Sequence, residues 1–207
     1  MSEEIEDYAD KWRYGLFMNP SVEIDPKKLQ IYQEKYKPVG FTPPQFGVTI
    51  LGSGHGFAPK GNNSGYIIWI NGRGVMVDPP PFTTHLLKKI GVPSLLIQWI
   101  IITHCHADHD AGTFQKILES GQVEIITTRT ILGSFVRKYA AVFDMKEKDI
   151  LGMFKFRPVL IGAPFKFNGA TFNFYYSLHT IPCIGFTISF QNKSIYFSAD
   201  TYYDPEK

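Results

Sequence analysis

One stretch constrains this chain more than any other: Thr103-His104-Cys105-His106-Ala107-Asp108-His109-Asp110-Ala111-Gly112. It comes after an apolar run, residues 97–102, which reads as a buried strand. Three histidines and two carboxylates within seven residues at a strand end are too much ligand chemistry for a solvated turn. On extended chain His104 and His106 point the same way and Cys105 points the other. Both imidazoles can therefore reach one ion. Asp108 and His109 come once the chain has turned, so they aim at a second point nearby. A nitrogen-rich position and a mixed N/O position both suit zinc or a similar first-row divalent metal. Two such ions roughly 3.5–4 Å apart can hold a hydroxide between them and clamp both oxygens of an in-line displacement.

The rest of the composition narrows the class. With 207 residues and 44% hydrophobic content the chain can build one substantial core, and two full domains would be crowded. A net charge of +2 without a long basic run argues against a broad nucleic-acid footprint. No apolar stretch reaches the ~20 residues a membrane span needs. The acidic start Ser2-Glu3-Glu4-Ile5-Glu6-Asp7 is the wrong chemistry for a signal peptide. Cys105 and Cys183 read as two small thiols in a reducing compartment, so a cytoplasmic location is expected.

Residues 1–45 differ from the rest of the chain. Asp25 and Pro26 open a short helix over residues 26–37, and Pro38, Pro43 and Pro44 forbid regular structure after it. This segment reads as an arm that packs on the main domain or on a partner. Its aromatic residues Trp12, Tyr14 and Phe17 make a homodimer plausible. The main domain, residues 46–207, opens with a strand at 47–51 and the glycine-rich Gly52-Ser53-Gly54-His55-Gly56. No helix clearly starts after that loop, so a dinucleotide cradle is a weak reading. Ser53 and His55 are candidate substrate contacts, His55 through its charge towards a phosphate. Strands 66–70 and 74–78 meet at Asn71-Gly72, a hairpin turn, so the chain begins as an antiparallel meander. Helices are expected over 82–91, 112–121 (buried face Phe114, Ile117, Leu118) and 130–143, with a strand at 123–127 between the last two. From residue 157 the pattern turns to short aromatic strands: 157–161, 165–167, 171–176 and 194–198.

The motif after its strand, with the order strand, Leu51-Gly52-Ser53-Gly54, Asn62-Asn63-Ser64, hairpin, Val77-Asp78-Pro79-Pro80, helix and strand before it, resembles the metallo-β-lactamase superfamily. Within it, the chain looks like the branch of ribonuclease Z and cyclic-nucleotide phosphodiesterases. His179 in Ser177-Leu178-His179-Thr180-Ile181-Pro182-Cys183-Ile184-Gly185-Phe186 and Asp200 in Ser198-Ala199-Asp200-Thr201 match that family's later ligands in order and context. The resemblance covers residues 47–204. It implies an α/β (α+β) fold, an αββα sandwich whose second half is incomplete in this chain.

The resemblance also assigns roles. His104, His106 and His179 would hold the first of two divalent ions, and Asp108 and His109 the second. Asp200 would bridge them. Zinc is expected, with manganese or iron as alternatives. Asp78 would orient the metal loop through hydrogen bonds. Asp108 would also be the catalytic residue that steers the hydroxide. The family places one more histidine after the Asp200 position, whereas His179 is the last histidine here, so a piece of a longer protein is expected. The implied activity is metal-dependent hydrolysis of a small nucleotide-type phosphodiester; residues 140–178 are too short for the transfer-RNA arm of some relatives. A thioester or lactone hydrolase on the same site, or a non-catalytic metal-binding member, are the alternatives.

Overall fold

A computed structural model describes residues 41–121 and 123–202. The helix expected over 26–37, the aromatic residues Trp12, Tyr14 and Phe17, and residues 203–207 lie outside the described residues.

Strands β1 (Phe46–Gly52), β2 (Gly65–Ile70) and β3 (Arg73–Val77) form the expected antiparallel meander. The β2–β3 turn places Asn71 and Gly72 at φ 48° and 76°, the geometry a two-residue hairpin demands. Next to β3 the sheet changes direction. Strands β4 (Ile97–Ile101), β5 (Glu124–Thr127) and β6 (Lys155–Pro158) each add in parallel, giving the order β1-β2-β3-β4-β5-β6. Parallel strands need crossovers, and helices supply them: α1 (Thr83–Lys89), α2 (Ala107–Ser120), α3 (Arg129–Phe143) and the short α4 (Glu147–Leu151). The central strands are covered on both faces. Ile67, Ile68, Trp69 and Ile70 are all fully buried, as are Val75, Met76 and Val77. Unbroken apolar runs are what a doubly covered strand requires.

The sequence pattern groups residues 157–161 with the later antiparallel strands. The structure instead ends β6 at Pro158 and pairs it with β5. Arg157 Nε donates to Glu124 Oε1 at 2.8 Å, and that cross-strand pair sits beside the register Glu124↔Lys155. Beyond it Val159 N still donates to Thr127 O at 3.0 Å, and the chain turns at residues 161–162.

The second sheet is wholly antiparallel, in the order β10-β9-β8-β7, from β7 (Pro164–Phe167), β8 (Ala170–Tyr176), β9 (Ile184–Phe190) and β10 (Lys193–Phe197). Its inward residues Phe172, Phe174, Phe186 and Ile188 are buried, while Asn173, Ser194 and Tyr196 are exposed. That alternation is the signature of a sheet packed on one face. Rings join the two sheets: Tyr66 stacks on Phe197 at 4.8 Å, Trp99 meets Phe167 edge-on at 4.8 Å, and Phe46 lies 5.2 Å from Phe190. Two turns also latch reciprocally, Asn71 Nδ2 donating to Asn168 O and Asn168 Nδ2 to Ile70 O.

Candidate metal centre

The motif lies where β4 leaves the first sheet. Thr127 Oγ1 donates to Ile102 O at 2.8 Å, and Ile184 N donates to Thr103 O at 3.0 Å, so the strand end is held from both neighbouring elements. His106 is the N-cap of α2, with extended φ, ψ of −68° and 146°. The helix begins at Ala107, five residues before the start expected from the sequence. Asp108 and His109 therefore stand on a helical first turn. The N–H groups of His109 and Asp110 both turn back to His106 O at 3.1 Å, and two aspartates in that turn suit the positive end of the helix dipole. Gly112 N donates to Pro79 O at 3.0 Å. A Cβ at Gly112 would lie 2.2 Å from Pro80 O, so only glycine lets α2 seat this close to the segment just after Asp78.

His179 comes three residues after β8 ends, in a loop closed by Ser177 N donating to Cys183 O at 2.9 Å. The same loop is tied to the one carrying Asp200. Ser177 Oγ donates to Ser198 O at 2.7 Å, and Tyr202 N to Leu178 O at 2.7 Å. These bonds bring the second sheet's residues to the motif. One ligand atom each from His104, His106, His179 and Asp200 falls within 4.8 Å of the others. His179 Nε2 is 3.0 Å from His106 Nδ1. Asp200 presents its two oxygens differently. Oδ2 lies 3.8 Å from His104 Nε2 and 3.9 Å from His179 Nε2, while Oδ1 lies 3.5 Å from His109 Nε2. His109 Nε2 is also 3.5 Å from Asp108 Oδ2.

Asp78 arranges the protons behind these rings. It comes directly after β3 at φ 46° and is buried. Its Oδ1 accepts from Thr103 N at 2.8 Å; its Oδ2 accepts from Thr103 Oγ1 at 2.5 Å and faces His109 Nδ1 at 3.0 Å. A hydroxyl has one proton. Having given it to Asp78, Thr103 Oγ1 accepts from His104 Nδ1, 2.9 Å away. Both His104 and His109 thus carry their hydrogen on Nδ1 and turn an Nε2 lone pair inward, the tautomer metal ligands need.

The electrostatics agree with that assignment at His104, whereas at His109 they favour the imidazolium, whose Nε2 proton a cation would have to displace. Burial, then the imidazoles of His109, His106 and His179, push the pKa of His104 down to about 2, so the ring is neutral. Burial also works against the charged form of His109, but the Asp78 hydrogen bond and the carboxylates of Asp78, Asp200 and Asp108 outweigh it and lift its pKa to about 8. His104 Nε2 is buried with no hydrogen-bond partner among the described residues. Around it, the His104 ring centroid lies 4.9 Å from that of His106, 4.2 Å from that of His109 and 4.8 Å from that of His179. An orphaned lone pair ringed by imidazoles and one carboxylate is a donor set for a divalent cation.

The family profile described as anti-Pycsar protein Apyc1 matches residues 46–207. The chain belongs to that family. It is also 52% identical over 167 residues to cGMP-dependent 3',5'-cGMP phosphodiesterase A of Dictyostelium discoideum; the match takes in 81% of this chain and 19% of that protein. The chain thus spans about a fifth of that relative's length. Among solved structures, the metallo-β-lactamase fold protein YhfI of Bacillus subtilis superposes with TM-score 0.63 at 20% identity, covering 80% of this chain and 66% of that one. Human short-form tRNase Z gives TM-score 0.57 at 20% identity, covering 74% and 68%. The fold is that of the metallo-β-lactamases, as the motif order implied.

Within this Apyc1-family chain, the structure gathers His104, His106, His179 and Asp200 into one group and Asp78, His104 and His109 into another, with Asp108 at the edge of His109. Ser53 and His55 join neither group. Both are exposed, and His55 Nδ1 accepts from Phe57 N at 3.2 Å. Their loop still borders the site through Gly56, where a Cβ would lie 2.9 Å from Asp108 Oδ2. The sequence order singles out Asn62, Asn63 and Ser64 but gives them no role, and the structure supplies one. Asn62 Nδ2 donates to Leu51 O, Asn63 Nδ2 to His55 O and Ser64 Oγ to Gly54 O, sewing residues 51–64 into a closed loop. Sequence reasoning gives no role to Thr103 either, although that residue directly precedes His104. A hydroxyl bridging a carboxylate and an imidazole has no spacing signal of its own.

Proposed function

We propose that the chain is a metal-dependent phosphodiesterase domain that hydrolyses a small cyclic-nucleotide-type phosphodiester. His104, His106, His179 and Asp200 would hold one divalent ion, and Asp108, His109 and Asp200 a second, zinc being the first choice for such N/O donor sets. When bound, the ions lower the pKa of water towards neutrality and neutralise charge on phosphoryl oxygens. The observation that carries this reading is Asp200, whose Oδ2 faces His104 and His179 while Oδ1 faces His109. One carboxylate can thereby serve two positions. The protein's own part is then to fix geometry. Asp78 would hold the Nδ1 hydrogens of both rings outward, and Asp108, beside the solvent-facing glycine loop, would orient the attacking water.

The size of the opening bears on substrate size. A cavity of about 820 Å³ is lined by Leu178, His179, Asp200, Thr201 and Tyr202 among others. It is a broad cleft open to solvent. Its rim residues Leu178 and Tyr202 are both more than two-thirds exposed, 69% and 67%, which leaves apolar surface for a nucleobase. The name of the Dictyostelium relative, a cGMP phosphodiesterase, points to the same class. The free thiols Cys105 and Cys183 suit a reducing, cytoplasmic setting. Among the described residues no helix is long and apolar enough to cross a membrane.

The test is elemental analysis of the metal-loaded chain, together with hydrolysis of 3',5'-cGMP and cAMP against a thioester and a lactone. Near two metals per chain and cleavage confined to the cyclic nucleotides are expected. Cleavage of the thioester or lactone instead would move the chain to another hydrolase class. One metal or none, with no cleavage, would overturn the reading.

A further inference from the structure

The two ligand groups of the metal centre are joined by a sharp turn. His104 and His106 precede it on extended chain; Asp108 and His109 come after it on the first turn of α2. The relative placement of the groups is set by how this turn is held. On one side Asp78 spans it, bonding Thr103 before the turn and His109 after it. On the other side the backbone carbonyl of Cys105, between the two histidines, points towards α3. One side chain from that helix meets it. Lys138 Nζ donates to Cys105 O at 3.1 Å and to Asp110 Oδ1 at 2.6 Å. A single ammonium therefore grips the chain five residues apart, on both sides of the turn.

The grip is anchored at both ends. Asp110 is fully buried, and its other oxygen, Oδ2, has no partner among the described residues. The neighbouring Tyr139 hydroxyl reaches Asp110 O at 3.1 Å and Oδ1 at 3.2 Å. Asp110 belongs to neither convergent ligand group. Its carboxylate holds position. The helix that presents Lys138 is rigidly seated: Ile131, Phe135, Val136 and Tyr139 are buried, and Thr128 caps its first turn. Lys138 itself is 30% exposed, so its charge need not be desolvated completely to make both bonds.

We propose that Lys138 is a positioning residue of the metal centre. Through Cys105 O and Asp110 it fixes the angle between the His104/His106 group and the Asp108/His109 group. The proposal rests on the metal-site reading above and makes no claim about substrate. Removing the ammonium leaves a buried carboxylate and a free carbonyl on the two arms of the turn, and the ligand groups drift apart. Arginine keeps the charge and several donors and can span the same two acceptors. Methionine fills the space and cannot.

Two measurements test this, and neither needs turnover. In the metal-free chain, amide hydrogen exchange over residues 104–110 speeds up in Lys138→Met while the β2 and β3 amides keep wild-type protection. In titrations against a chromophoric chelator with zinc alone, Lys138→Met binds about 10- to 100-fold more weakly, the range for lost supporting contacts around metal ligands. Lys138→Arg recovers most of that loss. Asp110→Asn weakens zinc binding too, and the double variant is no weaker than Lys138→Met, because both act through one clamp. Should Lys138→Met fail to fold, Lys138→Arg and Asp110→Asn carry the test. Wild-type zinc affinity in Lys138→Met, or an equal loss in Lys138→Met and Lys138→Arg, overturns the proposal and leaves the metal-site reading intact. A wild-type chain that binds no zinc overturns both.

Discussion

Asp78 concentrates several hydrogen-bonding roles in one buried carboxylate, and asparagine is its most informative replacement. Asparagine tolerates the φ of 46° at this position, so the backbone is spared. The amide, however, cannot accept on both sides. One of the bonds from Thr103 and His109 must be lost or turned into a clash of donors. Asp78→Asn is expected to weaken zinc binding about 10- to 100-fold and to destabilise the metal-free chain by about 1–3 kcal/mol. Chelator competition and thermal unfolding measure the two effects; wild-type values for both would refute the role. A second buried group lies outside the site. Lys116 is fully buried on α2, and its ammonium donates to Ser94 O at 2.9 Å, Ser94 Oγ at 2.7 Å and Ser120 Oγ at 2.5 Å. Burial pushes its pKa down from 10.5 to about 8, against the pull of Glu119. Between those values the unfolded chain holds a proton that the folded chain has released. Stability from this group therefore rises with pH across the window from 8 to 10.5, and below 8 a penalty on the order of 3 kcal/mol stands in full. Denaturant unfolding at several pH values should show this rise in wild type and a flatter curve in Lys116→Met. Parallel curves would disprove it. The sequence hides this residue: periodicity assigns the buried stripe of α2 to Phe114, Ile117 and Leu118, yet Leu118 is only half-buried while Lys116 is covered. A stripe records which residues are apolar, and three oxygens from Ser94 and Ser120 let a lysine take a core place.

At the scale of elements, the fit of α2 decides the site, because its first turn carries Asp108 and His109. Gly112→Ala would drive a methyl into Pro80 O and lift that turn off the residues after Asp78. A loss of about 1–3 kcal/mol is expected from such overpacking, together with weaker zinc binding, read by thermal melts and chelator titration. A melting temperature and zinc affinity equal to wild type would show that the turn has room. The start of α2 is misleading in the sequence for a related reason. Gly112 resembles a helix opening, and His-Ala-Asp-His-Asp resembles a loop. The contact that explains the glycine comes from Pro79 and Pro80, more than thirty positions earlier in the chain. By contrast, the β1–β2–β3 meander and α3 are legible, since alternation, an Asn-Gly turn and a 3.6-residue stripe are local. The partner of β6 is not, because pairing with β5 is fixed by a crossover.

For the whole molecule, the proposed ligands are divided between the two sheets. His104, His106, Asp108 and His109 hang from the first, His179 and Asp200 from the second. Spacing alone discloses the first four. The last two lie far along the chain, and the family resemblance is what singles them out. On that assignment, bound zinc should hold the sheets together. At a free concentration a thousand times Kd, binding stabilises by about 4 kcal/mol. Chelator treatment is therefore expected to lower the melting temperature, and an unchanged melt would deny that the metal links the sheets.

The same division has a consequence for the chain as it is made. Seventy-five residues separate His104 from His179, and ninety-six separate His104 from Asp200. At about 5–20 residues per second, a ribosome exposes His104, His106 and His109 for several seconds before His179 emerges. On the proposed ligand assignment, the nascent motif would during that interval be a loose chelator, able to seize ions indiscriminately and to release them as readily. Fidelity of metal choice would then be deferred until the second sheet arrives and the cage shuts.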